Sequence, residues 1–148
     1  MNRRMFLAAT AVTLVPMLAR AASPEIYTGL VDGVALGGYD AVSYFTDGGP
    51  KEGSEQFAAD WKDARWRFST AENLAAFKAS PEKYAPQYGG YCAYAVSKGA
   101  TAKGDPSVWT LANGKLYLNL SKEVQATWRN DIPGNVAQAD ANWPGVLK

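Results

Sequence analysis

Asn113-Gly114 stands between two runs of alternating character, Val108-Trp109-Thr110-Leu111-Ala112 and Lys115-Leu116-Tyr117-Leu118-Asn119-Leu120. Both turn residues accept the positive φ that a two-residue hairpin turn demands, so this is the strongest hairpin signal in the chain. Side chains alternate across a strand, which places Leu116, Leu118 and Leu120 on one face and Tyr117 and Asn119 on the other. A second hairpin is predicted around Lys62-Asp63. Phe57-Ala58-Ala59-Asp60-Trp61 leads into it, and Ala64, Trp66 and Phe68 alternate with Arg65 and Arg67 after it.

Each hairpin runs into a helix signal. Ser69 and Glu72 form a capping pair, Leu74 and Phe77 share one helical face, and the helix should stop near Ser80, before Pro81. Ser121-Lys122-Glu123 opens a second helix containing Val124, Ala126 and Trp128. The two hairpin-helix copies share a pattern, but not enough sequence to assert duplication. Shorter helices are expected at Glu82-Lys83-Tyr84 and from Asn135 to Trp143, beyond Pro133 and Gly134, with Trp143 anchoring the tail. Asp40 reads first as the cap of a short helix and second as a catalytic acid. The fold class is therefore α+β: a small single domain with two β-hairpins, each followed by a capped helix, plus short helices. A hydrophobic content of 47% against 20% charged residues provides for a core in such a domain.

The N-terminus reads as an export signal over residues 1–21. Arg3-Arg4 begin it, a short apolar run follows, and Ala19-Arg20-Ala21 offers the small residues that precede cleavage, expected after Ala21. Thr10, Thr13 and Pro16 interrupt the run, which is too short for a spanning helix. Asn2-Arg3-Arg4-Met5-Phe6-Leu7 also resembles a twin-arginine export motif, without the usual following lysine. Residues 22–33 then form a tether, and 34–148 the domain. The expected location is the periplasm, with no membrane anchor. Cleavage removes Arg3, Arg4 and Arg20 and no acidic residue, leaving a slightly acidic chain with no basic patch for nucleic acid.

Tyr88-Gly89-Gly90-Tyr91-Cys92-Ala93-Tyr94-Ala95-Val96 holds the single cysteine of a chain with no histidine, whose three methionines all precede the expected cleavage site. In an oxidising compartment a lone thiol is buried and inert, paired with another molecule, or reactive. No Ser-His or Cys-His catalytic pair can be assembled, and no glycine-rich phosphate loop stands between a strand and a helix.

Gly38-Tyr39-Asp40-Ala41-Val42-Ser43-Tyr44-Phe45, the segment ending Pro81-Glu82-Lys83-Tyr84-Ala85-Pro86, the Cys92 stretch and the run from Trp109 to Leu120 together resemble the YHS-domain family. The likeness covers most of the exported chain and is nearest to its small exported bacterial branch, some of whose members carry selenocysteine at the position of Cys92. Other members of the family accompany heavy-metal ATPases and copper-handling proteins. The absence of histidine sets this chain apart from any histidine-dependent metal role.

Three readings of Cys92 follow. It is a small buried hydrophobe, a redox thiol favoured by a place in the first turn of a helix, or a soft-metal ligand. A redox thiol without a resolving cysteine needs an outside thiol partner to regenerate it. A metal such as copper(I) would need Cys92 shared across a dimer or completed by an external thiol; the sequence requires no cofactor. Tyr39, Asp40, Tyr88, Tyr91, Tyr94 and Trp109 are the candidate binding residues for a small ligand, with aromatic packing as the competing role for the rings.

Overall fold

The computed structural model describes residues 9–14 and 22–148. The expected export signal and its cleavage site lie outside the described residues except for 9–14, which form no helix or strand. In chain order the elements are α1 (Ser43–Thr46), β1 (Ser54–Trp61), β2 (Ala64–Phe68), α2 (Ala71–Ala79), α3 (Pro81–Tyr84), α4 (Ala93–Ser97), β3 (Asp105–Ala112), β4 (Lys115–Asn119), α5 (Lys122–Arg129) and α6 (Ile132–Asn142). β1 pairs with β2 and β3 with β4, both antiparallel, as two separate two-stranded sheets. The α+β architecture of two hairpins with capped helices is thus as the sequence indicates. Among the described residues no helix is long and apolar enough to cross a membrane.

Two apolar clusters form the interior. The first gathers Val42, Tyr44, Trp66, Phe68, Phe77, Leu116 and Leu118; the second gathers Tyr88, Tyr91, Ala93, Val96, Tyr117 and Trp128. β4 is wedged between them, so Leu116 and Leu118 enter the first cluster and Tyr117 the second, the two faces that alternation assigns them, and Leu116, Tyr117, Leu118 and Asn119 are all buried. Leu120, expected beside Leu116 and Leu118, is 37% exposed because the strand ends at Asn119. Edge-to-face and tilted ring pairs organise the first cluster, with Phe77 packed 4.9 Å from both Trp66 and Phe68.

The two halves of the chain repeat one another. Leu36, Gly37 and Gly38 turn with φ of 55°, 58° and 88°, and Tyr88, Gly89 and Gly90 with 56°, 63° and 85°. Tyr39 then bridges to Glu52, and Tyr91 to Lys103. The Asp40 N–H donates to the Lys51 carbonyl at 2.8 Å, and the Cys92 N–H to the Ala102 carbonyl at 2.9 Å. Both hairpins slip at the same place, between the Ser54–Phe68 and Ala58–Arg67 pairs and between the Asp105–Asn119 and Trp109–Leu118 pairs. Thr70 Oγ1 caps α2 through the Asn73 N–H at 3.1 Å, and Ser121 Oγ caps α5 through the Val124 N–H at 3.2 Å. At the same distance from each cap stand Phe77 and Trp128, both buried.

Three local expectations change. The cap of α2 is Thr70, because Ser69 is drawn to Asp40. α6 begins at Ile132 and includes Pro133, since a proline in the first turn lacks only a donor that has no partner there; the Asp131 carboxylate caps it through the Gly134 N–H at 3.0 Å. Residues 22–33 do not hang loosely. The Ser23 N–H donates to the Leu147 carbonyl and the Tyr27 N–H to the Gly89 carbonyl, each at 2.8 Å, and Ile26 is buried.

Candidate functional site: a buried thiol and its amide partner

Cys92 immediately precedes α4, its carbonyl accepting the Val96 N–H at 3.1 Å. The paired glycines before it supply the positive φ that turns the chain inward. The side chain is 1% exposed. Its Sγ–H donates to Asn119 Oδ1 at 3.5 Å, and Sγ accepts the Leu120 N–H at 3.3 Å. Asn119 Oδ1 also accepts the Tyr94 N–H at 3.1 Å, which fixes the orientation of the amide. The consequence falls on the other side of that amide: among the described residues, Asn119 Nδ2 is buried with no hydrogen-bond partner, as is Trp128 Nε1. Such donors are uncommon in native interiors because each forfeits its hydration.

Sγ is buried, so an outside molecule reaches it only through a local opening of the site.

Asp40 occupies the equivalent position in the first half and is fully satisfied. Its Oδ1 accepts the Val42 and Ser43 N–H groups at 2.8 and 3.2 Å. Its Oδ2 accepts the Ser69 N–H at 2.8 Å, Ser69 Oγ–H at 2.7 Å and Asn73 Nδ2–H at 2.8 Å. Asp40 is therefore a structural tie between α1, the end of the first hairpin and α2. With no exposure and every lone pair engaged, it offers nothing to a ligand.

The remaining candidates divide between places. Tyr88 and Tyr91 join Trp143 and Tyr117 in the second cluster, with Tyr88 5.9 Å from Trp143 and 6.1 Å from Tyr117. The Tyr88 hydroxyl donates to Asp140 Oδ1 at 2.8 Å, and the Tyr91 hydroxyl to the Pro24 carbonyl at 2.7 Å. Burial, and then the hydrogen bond to Asp140, push the Tyr88 phenol far above its ordinary range; burial does the same for Tyr91 to a smaller degree. Tyr94 contributes its backbone N–H to Asn119 and lays its ring beneath Lys98. Trp109 packs edge-on to Tyr44 at 5.6 Å, and Tyr39 is 40% exposed. Tyr39, Asp40 and Trp109 thus do not converge on the thiol.

Among the described residues no group of three or more His, Cys, Asp or Glu is placed to hold a metal. Sequence reasoning passed over Asn119, Ser69 and Asn73. The signal that marks them is the repeated Gly-Gly-Tyr-X-Ala at 37–41 and 89–93, with Asp40 and Cys92 at the variable place. No family model, curated protein or solved structure matches the chain.

Proposed function

We propose that the chain is an exported YHS-type protein of the periplasm whose Cys92 is a buried redox thiol that takes oxygen from a peroxide and is restored by an outside thiol. The observation that carries this reading is the unpartnered Asn119 Nδ2, a buried donor on the same amide that touches Sγ. An oxygen on sulfur would add a strong acceptor beside the amide, whereas the thiol sulfur is a weak acceptor already taken by the Leu120 N–H. The repeat supports the same conclusion. Phe68 and Phe77 are the first-half counterparts of Asn119 and Trp128, so the second half carries two N–H donors where the first is wholly apolar.

The chemistry balances without metal. Cys92 gives up its proton, the thiolate sulfur attacks one oxygen of hydrogen peroxide, the O–O bond breaks, and the departing hydroxide takes up a proton, so that Cys92–SH and H2O2 become Cys92–SOH and water. A small thiol then displaces water to form a mixed disulfide, and a second thiol releases Cys92–SH and the oxidised disulfide of the reductant.

The test is dimedone trapping of the sulfenic acid in folded protein after peroxide, read by mass spectrometry beside Asn119→Leu. Trapping in native buffer, with a shorter sulfenate lifetime in Asn119→Leu, is the expected result. Trapping confined to denaturant would make Cys92 a packing residue and end the redox reading.

A further inference from the structure

A cleft of about 330 Å³ opens where the two halves of the molecule meet, and neither Cys92 nor Asn119 lines it. The turn of the first hairpin contributes Trp61 and Lys62, the turn of the second contributes Lys115, and α3 contributes Glu82. Tyr88 and Trp143 supply further aromatic surface. The volume lies at the small end of ligand pockets.

The repeat shows what is particular about this place. Lys62 and Asp63 turn with φ of 49° and 59°, where the second hairpin uses Asn113 and Gly114 at 52° and 74°. Asparagine and glycine adopt that conformation cheaply and aspartate tolerates it; lysine does not. The first turn thus accepts strain and gains the Lys62 ammonium, which lies 4.8 Å from the Trp61 ring centroid and 2.6 Å from Glu25 Oε1. Ala64, buried in the first hairpin, corresponds to exposed Lys115 in the second. Both lysines are therefore departures from the repeat, and both border the cleft. Backbone strain retained for the sake of a side chain is a mark of a functional position.

The charges are mixed rather than of one sign. Lys62 is already answered by Glu25, whereas among the described residues neither Lys115 nor Glu82 takes part in an ion pair. At the edge of the cleft the Lys62 ammonium lies over the Trp61 indole with the Glu25 carboxylate beside it, the kind of contact that aromatic surface makes with a cation.

We propose that this cleft binds a small zwitterion of the amino-acid or betaine class, its carboxylate directed to Lys115 and its cationic nitrogen to Glu82 and the aromatic surface. This site is independent of the chemistry at Cys92.

Tryptophan fluorescence of the exported protein, titrated with glycine betaine, tests it directly, because Trp61 and Trp143 both line the cleft. A saturable change with a dissociation constant below about 10 mM, weakened roughly tenfold by Lys115→Met and by Glu82→Gln, is expected. Both substituted residues are exposed, so circular dichroism should show unaltered folding. Three outcomes would overturn the proposal: no saturable change, unchanged affinity in both variants, or equal binding of acetate or tetramethylammonium alone.

Discussion

Asp40 Oδ2 and Cys92 Sγ accept the same hydrogen bond in the two halves of the chain, from the Ser69 N–H at 2.8 Å and from the Leu120 N–H at 3.3 Å. Each ties the segment before a hairpin to the residue just after it, where the capped helix begins. The carboxylate gathers five donors, while the thiol receives one and gives one. The same backbone device is thus strongly closed in one half and weakly closed in the other, and the weakly closed half carries the single thiol.

Removing the strong tie should cost more than removing the weak one. Asp40→Ala strips the acceptor from buried donors on three segments and should lower stability by about 3 kcal/mol. Cys92→Ala loses one weak acceptor and a little volume, about 1–2 kcal/mol. Urea denaturation of both variants beside the parent measures the order; an equal or reversed order would separate the two positions physically despite their shared geometry.

The strained first turn gives a prediction of opposite sign. Asp63 has φ of 59°, is exposed, and makes no side-chain hydrogen bond or ion pair among the described residues. Asp63→Gly should therefore stabilise the protein by about 0.5–1 kcal/mol by relieving the left-handed conformation. A thermal midpoint raised by a few degrees is the expected readout, and a fall would mean that Asp63 holds the turn by a contact of its own.

Close backbone approach makes Gly89 and Gly104 intolerant. A Cβ at Gly89 meets the Glu25 carbonyl oxygen, with φ at +63°, and a Cβ at Gly104 meets the Gly90 carbonyl oxygen. In each case backbone must shift, so Gly89→Ala and Gly104→Ala should each cost roughly 2 kcal/mol or more. Gly89→Ala should also release residues 22–27, seen as faster amide exchange at Tyr27, whose N–H rests on the Gly89 carbonyl.

Much of this architecture is written locally. Asn113-Gly114, the alternation through Ala64, Trp66 and Phe68, and the helix capped by Ser121 carry their own turn, period and cap, and all fold as read. Leu116 and Leu118 enter one core and Tyr117 the other, as their alternation indicates, whereas Leu120 departs from the pattern because the strand ends at Asn119. Ser69 lost the cap to Thr70 through a partner distant in sequence, Asp40. The site divides in the same way. Cys92 announces itself by being alone, whereas Asn119 acquires meaning from the carbonyl that Tyr94 and Cys92 share, a contact that no spacing encodes.

Alkaline pH should probe the second cluster. Burial first, and the hydrogen bond to Asp140 second, raise the Tyr88 phenol above its ordinary value of 10.0, and burial raises Tyr91 and Tyr117 as well. The folded state therefore holds protons that the unfolded chain releases above about pH 10. The stabilisation from these phenols is fully present below that pH and is lost as pH rises through the raised folded values. Tyr88→Phe removes one of the titrating groups together with its bond to Asp140. It should lower stability at neutral pH by about 1 kcal/mol and make the decline above pH 10 shallower. Urea denaturation between pH 8 and about pH 11 reads both effects. An unchanged alkaline slope in Tyr88→Phe would show that Tyr88 does not govern the alkaline limit and would transfer that role to the other raised phenols, Tyr44, Tyr91 and Tyr117.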